Sequence, residues 1–455
     1  MKISTSALRG HFETLSAGLF SDLRAGEHLS TDLVAEDSQY MRLNAARIRQ
    51  IGTVTDAAMK LSYVLETQPQ GVKERRFSEC TLSLCGDGDE DRTRVTKALG
   101  RLRQETPQLP ADPLARLPEN KGSVEQIQEG RLLSSEESVA RILPGLQGVD
   151  LAGIYASGSV VRATANSAGQ RQWFYTENFS VDYSLYTPHE KAVKSTFAGN
   201  TWSDEAFARD LGLSRELLSH LEKPARKIPR GSYRVYLAPT AFSQLVAMLA
   251  WYGISERAIR QGQSPLRLMR SGEKTLSPLF SLTEDFSAGT VPRFNVEGEI
   301  APEKLRLITE GKLENTLVHA RTAQEFGVVG NGANLDETFR APSVSAGTLK
   351  QEDILKRLGT GLYLSNLHYL NWSDQFAGRV TGMTRYACLW VENGVIQGPV
   401  EALRWDDSLF RFFGSELEDL TDFRATLADV GTYEYRQLGA MIMPGALLRS
   451  FQFTL

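Results

Sequence analysis

Few residues in this chain have the type and spacing to do chemistry, and each competes with a plainer structural role. His189-Glu190 is the only His-Glu pair. It runs His-Glu-Lys-Ala-Val-Lys, so the fourth and fifth positions after His189 are Val193 and Lys194, neither a metal ligand. The zinc-peptidase arrangement, two imidazoles on one helix face with a glutamate beside them, fails here. A turn after Pro188 is the simpler reading. His319 and His368 stand alone in sequence. Folding could set His368 beside Cys388 or Asp374, which would give an imidazole pair able to activate a nucleophile. Taken singly, the two histidines read as hydrogen-bonded structural residues, and Cys388, between Ala387 and Leu389, as a small buried hydrophobe. Asp406-Asp407 offers paired carboxylates, but also an N-cap for a helix starting at Leu409. Asp374 suits a turn. Gly330-x-Gly332 lacks the third glycine of a dinucleotide loop. No Gly-x-x-x-x-Gly-Lys loop or Gly-x-Ser-x-Gly elbow occurs. Recognition is the chemistry left. Arg42, Arg47 and Arg49 could clamp a peptide carboxylate or an acidic patch, or form a solvated strand face. Trp372, Trp390 and Trp405 suit either a groove or a core.

The elements that must position these residues are legible from periodicity. Leu8, Phe12, Leu15, Leu19 and Leu23 recur at spacings of three and four, which predicts an amphipathic helix stopped near Gly26. From Thr31 to about Glu66 the chain reads as strands, with Met59, Leu61, Tyr63 and Leu65 alternating against smaller or polar residues. A third strand is expected over residues 80–85, then an acidic turn and a helix carrying Val95, Leu99 and Leu102. Prolines 107, 110, 113 and 118 mark a linker. A helix near Ser135–Ile142 is followed by strands from Asp150 to Tyr186, with a hairpin turn at Asn166–Gly169 and a clean alternation of Phe179, Val181, Tyr183 and Leu185. Ser203 caps a helix running to Leu221. After a basic linker (223–232) come a strand at Tyr233–Leu237 and an apolar helix over Ala241–Arg260. The remainder is strand-rich, with Asn393-Gly394 as a type I′ hairpin signal.

Composition sets the outer limits. The 455 residues need more than one core. Hydrophobic residues make up 41% and charged ones 23%, as in ordinary globular domains, and the formal net charge of −4 argues against a general nucleic-acid binder. No apolar run reaches membrane-spanning length, and the first residues lack the apolar stretch of a signal peptide. The three cysteines, Cys80, Cys85 and Cys388, are too sparse for a disulfide framework. A reducing, cytoplasmic location is the expectation.

An ordered set of segments resembles the TldD/PmbA family, the modulators of DNA gyrase. These are MRLNAARIRQ (41–50, with Arg42, Asn44 and Gln50), GIYASGSVVRATANSAGQRQW (153–173), RKIPRGSYRVYLAP (226–239), GLYLSNLHYLN (361–371), TGMTR (381–385) and VENGVIQGPV (391–400). The resemblance implies an α+β fold: an N-terminal helix-plus-antiparallel-sheet domain over 1–115, a middle α/β segment over 116–226, and a strand-rich C-terminal domain over 227–455. In the family's catalytic half, the helix after the strand at 233–237 carries His-Glu-x-x-x-His and a cysteine near the C-terminus completes a zinc site. Here residues 242–260 contain no His, Cys or Asp, and no His or Cys follows Gly431. The resemblance therefore implies the TldE/PmbA-like branch, with no catalytic or metal residues in this chain and zinc only in a TldD-like partner. Peptide or interface contacts are expected at Arg42, Asn44, Arg47, Arg49, Asn366, His368, Trp372 and Arg385. Two rivals stay open. One is a self-sufficient hydrolase built on His319, His368 or Cys388; the other is a peptide-binding homodimer without proteolysis.

Overall fold

The computed structural model describes residues 5–454. Two long hairpins build its first sheet. Strands β1 (Glu27–Asn44) and β2 (Arg47–Thr67) pair antiparallel along their whole length. They turn at Ala45-Ala46, both left-handed with φ of 50° and 52°, as a two-residue hairpin matched to strand twist requires. β3 (Glu74–Ser83) joins the outer side of β2, but only from Thr67 to Ala58. Beyond β4 (Glu125–Gln128), the second hairpin joins β5 (Asp150–Asn166) to β6 (Arg171–Tyr186). β7 (Ala192–Gly199) pairs with the far half of β6. The strand order is β3-β2-β1-β5-β6-β4. β1 and β5 pair from Ser30↔Asn166 to Asn44↔Ala152, so one sheet runs across the boundary between segments 1–115 and 116–226.

Strand alternation gives this sheet two unlike faces. Odd-numbered residues of β1 and β5 are mostly apolar and form two cores. Leu29, Leu33, Val161 and Ala163 pack with helices α1 (Thr5–Ser21) and α2 (Gly88–Glu105) through Phe12, Leu15, Leu19, Val95 and Leu99. Met41, Leu43, Leu151 and Tyr155 pack with α3 (Ser135–Ile142) and α4 (Asp204–Leu221) through Ile142, Phe207 and Leu211. The helix spacing read from sequence is what buries these stripes. Among the even-numbered residues of the same strands, Asp32, Glu36, Ser38 and Thr164 are polar and buried. They face the C-terminal half: Arg162 donates to the carbonyl of Arg436, and the Arg436 N–H approaches Glu36.

The C-terminal half begins with β8 (Gly231–Leu237), α5 (Pro239–Ala247) and α6 (Glu256–Arg260). A six-stranded sheet follows from β9 (Leu282–Asp285), β10 (Lys304–Thr309), β11 (Lys312–Leu313) and β12 (Pro342–Val344). The next strands in the chain are β13 (Gly361–Asp374), β14 (Arg379–Glu392), β15 (Val395–Pro399), β16 (Arg404–Ser408) and β17 (Leu417–Leu420). Then β18 (Ala425–Ala428) and β19 (Ala440–Met443) complete the six-stranded sheet, in the order β11-β10-β9-β12-β19-β18. The last strand is β20 (Ala446–Phe453). Strands β13, β8, β20, β16 and β14 pair in that order, and β14 pairs back to β13, so this third sheet closes on itself. Trp405 fills its interior at 0% exposure against Phe451. Opposite it stands Gly382, where a Cβ would lie 2.6 Å from the indole.

Several expectations need correction. The apolar helix over Ala241–Arg260 is two helices. α5 ends at Ala247 and continues as a short 3-10 turn to Ala250; Tyr252 then turns left-handed with φ of 65°, and Ser255 caps α6. Gly253 permits the break, because its backbone sits on Leu249 where a Cβ would come within 2.6 Å of a carbonyl oxygen. Apolar periodicity hid the stop because both pieces are buried. The third strand begins at Glu74, ahead of the residues expected, and ends before Cys85. Asp406 and Asp407 are not helix caps. Asp406 pairs with Arg379, and buried Asp407 accepts from Arg411 and from the Gln452 N–H. Ser408 takes the capping role, accepting from the Phe410 N–H.

Candidate functional site

The face formed by α5, β13 and β14 gathers one group of the residues singled out from sequence. Asn366 pairs in register with Arg385, and His368 with Met383. His368 is half-buried; burial and the nearby Arg385 charge hold its pKa below the usual imidazole value. Its ring lies 3.9 Å from that of Tyr369, which is 75% exposed. Trp372 donates its indole N–H to the carbonyl of Trp251, tying the hairpin to the break after α5. Gln244 of α5 accepts from the Leu367 N–H at 2.5 Å. Tyr369, Met383, Trp251 and Tyr252 leave large apolar surface exposed around this spot.

The other group lies elsewhere. Arg42, Asn44, Arg47 and Arg49 are exposed at the tip of the β1–β2 hairpin, in the first sheet, whereas the first group lies on the third. Residues 47–57 of β2 pair only with β1, since β3 stops at Ala58. One backbone edge of about ten residues is thus open, roughly 33 Å at the usual strand rise. The three tryptophans of the 372–405 block do not form one groove. Trp405 is core, Trp390 packs on Tyr233 with Arg226 over its ring, and Trp372 is on the hairpin.

The candidate nucleophiles and bases are spoken for. His319 is buried and caps the helix at Ala320–Phe326: its Nδ1 accepts from the Arg321 N–H and its Nε2 meets Glu297 at 3.1 Å. With Nδ1 accepting, Nε2 is left to donate to Glu297, and neither nitrogen is free to bind a metal. Burial pushes the Cys388 thiol up to about 12, and its Sγ donates to the Arg385 carbonyl. The register sets Cys388 opposite Leu364, four residues from His368. His189 and Glu190 are an exposed turn, with Glu190 at φ 61°. Sequence gave no hint of Cys85, Asp91 and His11 meeting. Asp91 accepts from the Cys85 thiol and backbone and from the Gly86 N–H, and meets His11 at 2.9 Å. The carboxylate stands between thiol and imidazole. A backbone hydrogen bond at Asp87 lowers the Cys85 pKa, but desolvation and Asp91 outweigh it and keep the proton on sulfur.

Two cavities lie where the first sheet meets the C-terminal half. One, of about 330 Å³, is charged but balanced: Arg321 pairs with Asp112, Arg116 with Glu299, and Lys60 with Glu79. The other, of about 240 Å³, lies between β6–β7 and the loop 429–439, and buried Arg436 lines it.

Residues 230–455 match the PmbA/TldA metallopeptidase C-terminal domain. This chain belongs to the TldD/PmbA family. The fold agrees along nearly its full length with three solved structures. TldE from Thermococcus kodakarensis superposes with a TM-score of 0.78 at 13% identity, covering 98% of this chain and 100% of that one. A modulator-of-DNA-gyrase protein of Thermotoga maritima gives 0.73 at 15%, covering 98% and 100%. Another from Bacteroides thetaiotaomicron gives 0.75 at 12%, covering 98% of each. At these identities the likeness speaks for the fold alone. No curated protein sequence matches the chain.

Within the TldD/PmbA frame, α5 and α6 stand where the resemblance places the zinc helix. The donor set does not fit the metal. Zinc asks for imidazole, thiolate or carboxylate side chains converging on one point. α5 and α6 offer only Glu256, and both its oxygens are committed, to Arg260, Arg270 and Thr316. Among the described residues, no three His, Cys, Asp or Glu side chains gather to hold an ion. No helix among them is long and apolar enough to cross a membrane.

Proposed function

We propose that this chain is the metal-free, TldE/PmbA-like subunit of a TldD/TldE-type metallopeptidase complex. It works in the cytoplasm beside a zinc-bearing TldD-like chain, with which it dimerises, and it handles unfolded peptides or modified-peptide precursors. The observation that carries this reading is the pair α5–α6: the family's zinc helix is present as an element, but its one carboxylate is locked in ion pairs. Recognition surfaces remain. The open edge of β2 offers backbone hydrogen bonds to an extended segment, which gives affinity with little demand on sequence. The exposed apolar side chains around Tyr369 and Trp251 are of the kind enriched in interface cores.

Purification of the tagged chain from its native host, with mass spectrometry of what accompanies it and zinc analysis of each chain, tests the reading. A His-Glu-x-x-x-His family member is expected in equal amount, with the zinc following that chain. Stoichiometric zinc in this chain alone, or peptide cleavage by it alone, would sink the proposal.

A further inference from the structure

Arg436 is 5% exposed, and its side chain reaches the first sheet, where it donates to the Gly158 carbonyl and to the carbonyl and side-chain oxygens of Asn178. No carboxylate lies within ion-pair distance of its guanidinium among the described residues, and its acceptors there are all uncharged. Beside it, Arg162 is half-buried, and it too is met by carbonyls, those of Val161 and Arg436, and by the Tyr435 ring at 4.9 Å. The nearby acids are Glu36, which accepts from Ser38 and Tyr40 and attracts Arg436 without forming an ion pair, Asp429 at the cavity's mouth, and Asp32, which burial pushes up to about 7 and so half neutralises at neutral pH. Burial also pulls the Arg436 pKa down, the sign of a cation short of compensation. The neighbouring 330 Å³ cavity shows the contrast, since its cations have acids beside them.

The surroundings of Arg436 suggest what is missing. The 240 Å³ cavity that it lines is flanked by two strands at the edges of their sheets. β7 pairs only with β6, and β18 pairs only with β19. Ala198 and Gly199 of β7 and Thr426 and Ala428 of β18 all line the cavity. Its mouth, at Thr426, Asp429 and Asn200, is exposed. Unpaired backbone beside the cavity suits an extended chain, and a buried arginine in its lining suits a carboxylate.

We infer that this cavity binds the C-terminal carboxylate of an extended peptide, with Arg436 as its counter-ion and the edges of β7 and β18 receiving the residues before it. The inference deepens the peptide-handling reading and rests on it. It needs no partner chain to be tested.

The full-length chain is titrated with tri-alanine, with tri-alanine C-terminal amide and with acetate, by calorimetry and by the shift in unfolding temperature. The free acid should bind roughly tenfold tighter than the amide, the ratio expected from one buried charge-assisted contact, and acetate should bind far more weakly than the acid. In Arg436→Gln, the preference for acid over amide should disappear. Equal response to acid and amide in the unsubstituted chain would overturn the inference while leaving the peptide-handling reading intact. No response to either peptide would overturn it too, and so would acetate matching tri-alanine, which would mark a site for small carboxylates. A preference that survives in Arg436→Gln would remove Arg436 from the role. The acid-to-amide comparison stands even if that variant fails to fold.

Discussion

The side-chain oxygen of Gln244 accepts the backbone N–H of Leu367 at 2.5 Å. This bond ties α5 to β13 beside Asn366 and His368, in the short stretch 366–368 that pairs with 383–385 of β14 between two register shifts. In this chain the side chain that the helix sends to β13 is therefore an amide that serves the sheet.

Gln244→Ala should leave the Leu367 N–H buried without a partner, since Leu367 is 1% exposed. A loss of about 1–3 kcal/mol is expected, read as a lower midpoint in urea unfolding. Gln244→Glu should retain most of the stability at neutral pH, because the acceptor survives.

Glu256 gives a pH signature. Burial alone would raise its pKa, but hydrogen bonds from Arg270, Thr316 and Arg260 outweigh that and hold it at about 2. A carboxylate depressed in the folded state stabilises above its unfolded value, near 4.5, and the contribution is lost as pH falls toward 2. Glu256→Gln should cost on the order of 2–3 kcal/mol at pH 7. The gap to the unsubstituted chain should close between pH 4.5 and 2, measured by unfolding across that range.

Asp32 should behave in the opposite sense. Burial raises its pKa to about 7 against weaker pull from Lys60 and Arg162. A raised carboxylate favours the folded state below the unfolded value, near 3.8, and that preference fades as pH rises through 7. Asp32→Asn should therefore stabilise the chain at pH 8, by on the order of 2–4 kcal/mol, relative to its effect at pH 4.

Thiol labelling should separate the cysteines. Cys85 is exposed, whereas Cys388 is buried with a pKa of about 12. Iodoacetamide on the native chain should label Cys85 first, and Cys388 only after denaturation, as read by peptide mass spectrometry. Fast native labelling of Cys388 would contradict its place in the core.

The open edge of β2 carries Ile51 and Val54, 51% and 40% exposed. If a partner strand covers them, Ile51→Asp with Val54→Asp removes apolar burial worth about 1.5–3 kcal/mol per residue. Recovery of the partner chain should fall at least tenfold while the unfolding midpoint of this chain alone stays nearly unchanged.

Much of the secondary structure was legible because it is written in short-range periodicity. The stripe Leu8, Phe12, Leu15 and Leu19, the cap at Ser203, the helix Ser135–Ile142 and the Asn393-Gly394 turn all appear where spacing put them. The break after Leu249 was not legible, because Gly253 owes its importance to a close approach of backbone that no pattern records. The candidate residues fared likewise. Sequence selected Arg42, Asn44, Arg47, Arg49, Asn366, His368 and Arg385 by type, but register divides them into two groups, one at the β1–β2 tip and one on β13 and β14.

The sequence by itself determined the element types, the family resemblance and the lack of zinc ligands over 242–260, since these depend on which residues are present and how they are spaced. Only the tertiary structure decided which groups are free to act. His319 loses both nitrogens to a cap and a glutamate, and Cys388 keeps its proton in the core. Arg436, unremarked in sequence, is brought against Gly158 and Asn178, more than 250 positions away, and its side chain meets uncharged acceptors there. The physical reason is that reactivity and binding follow from desolvation and charge pairing, and the fold sets both by joining distant parts of the chain.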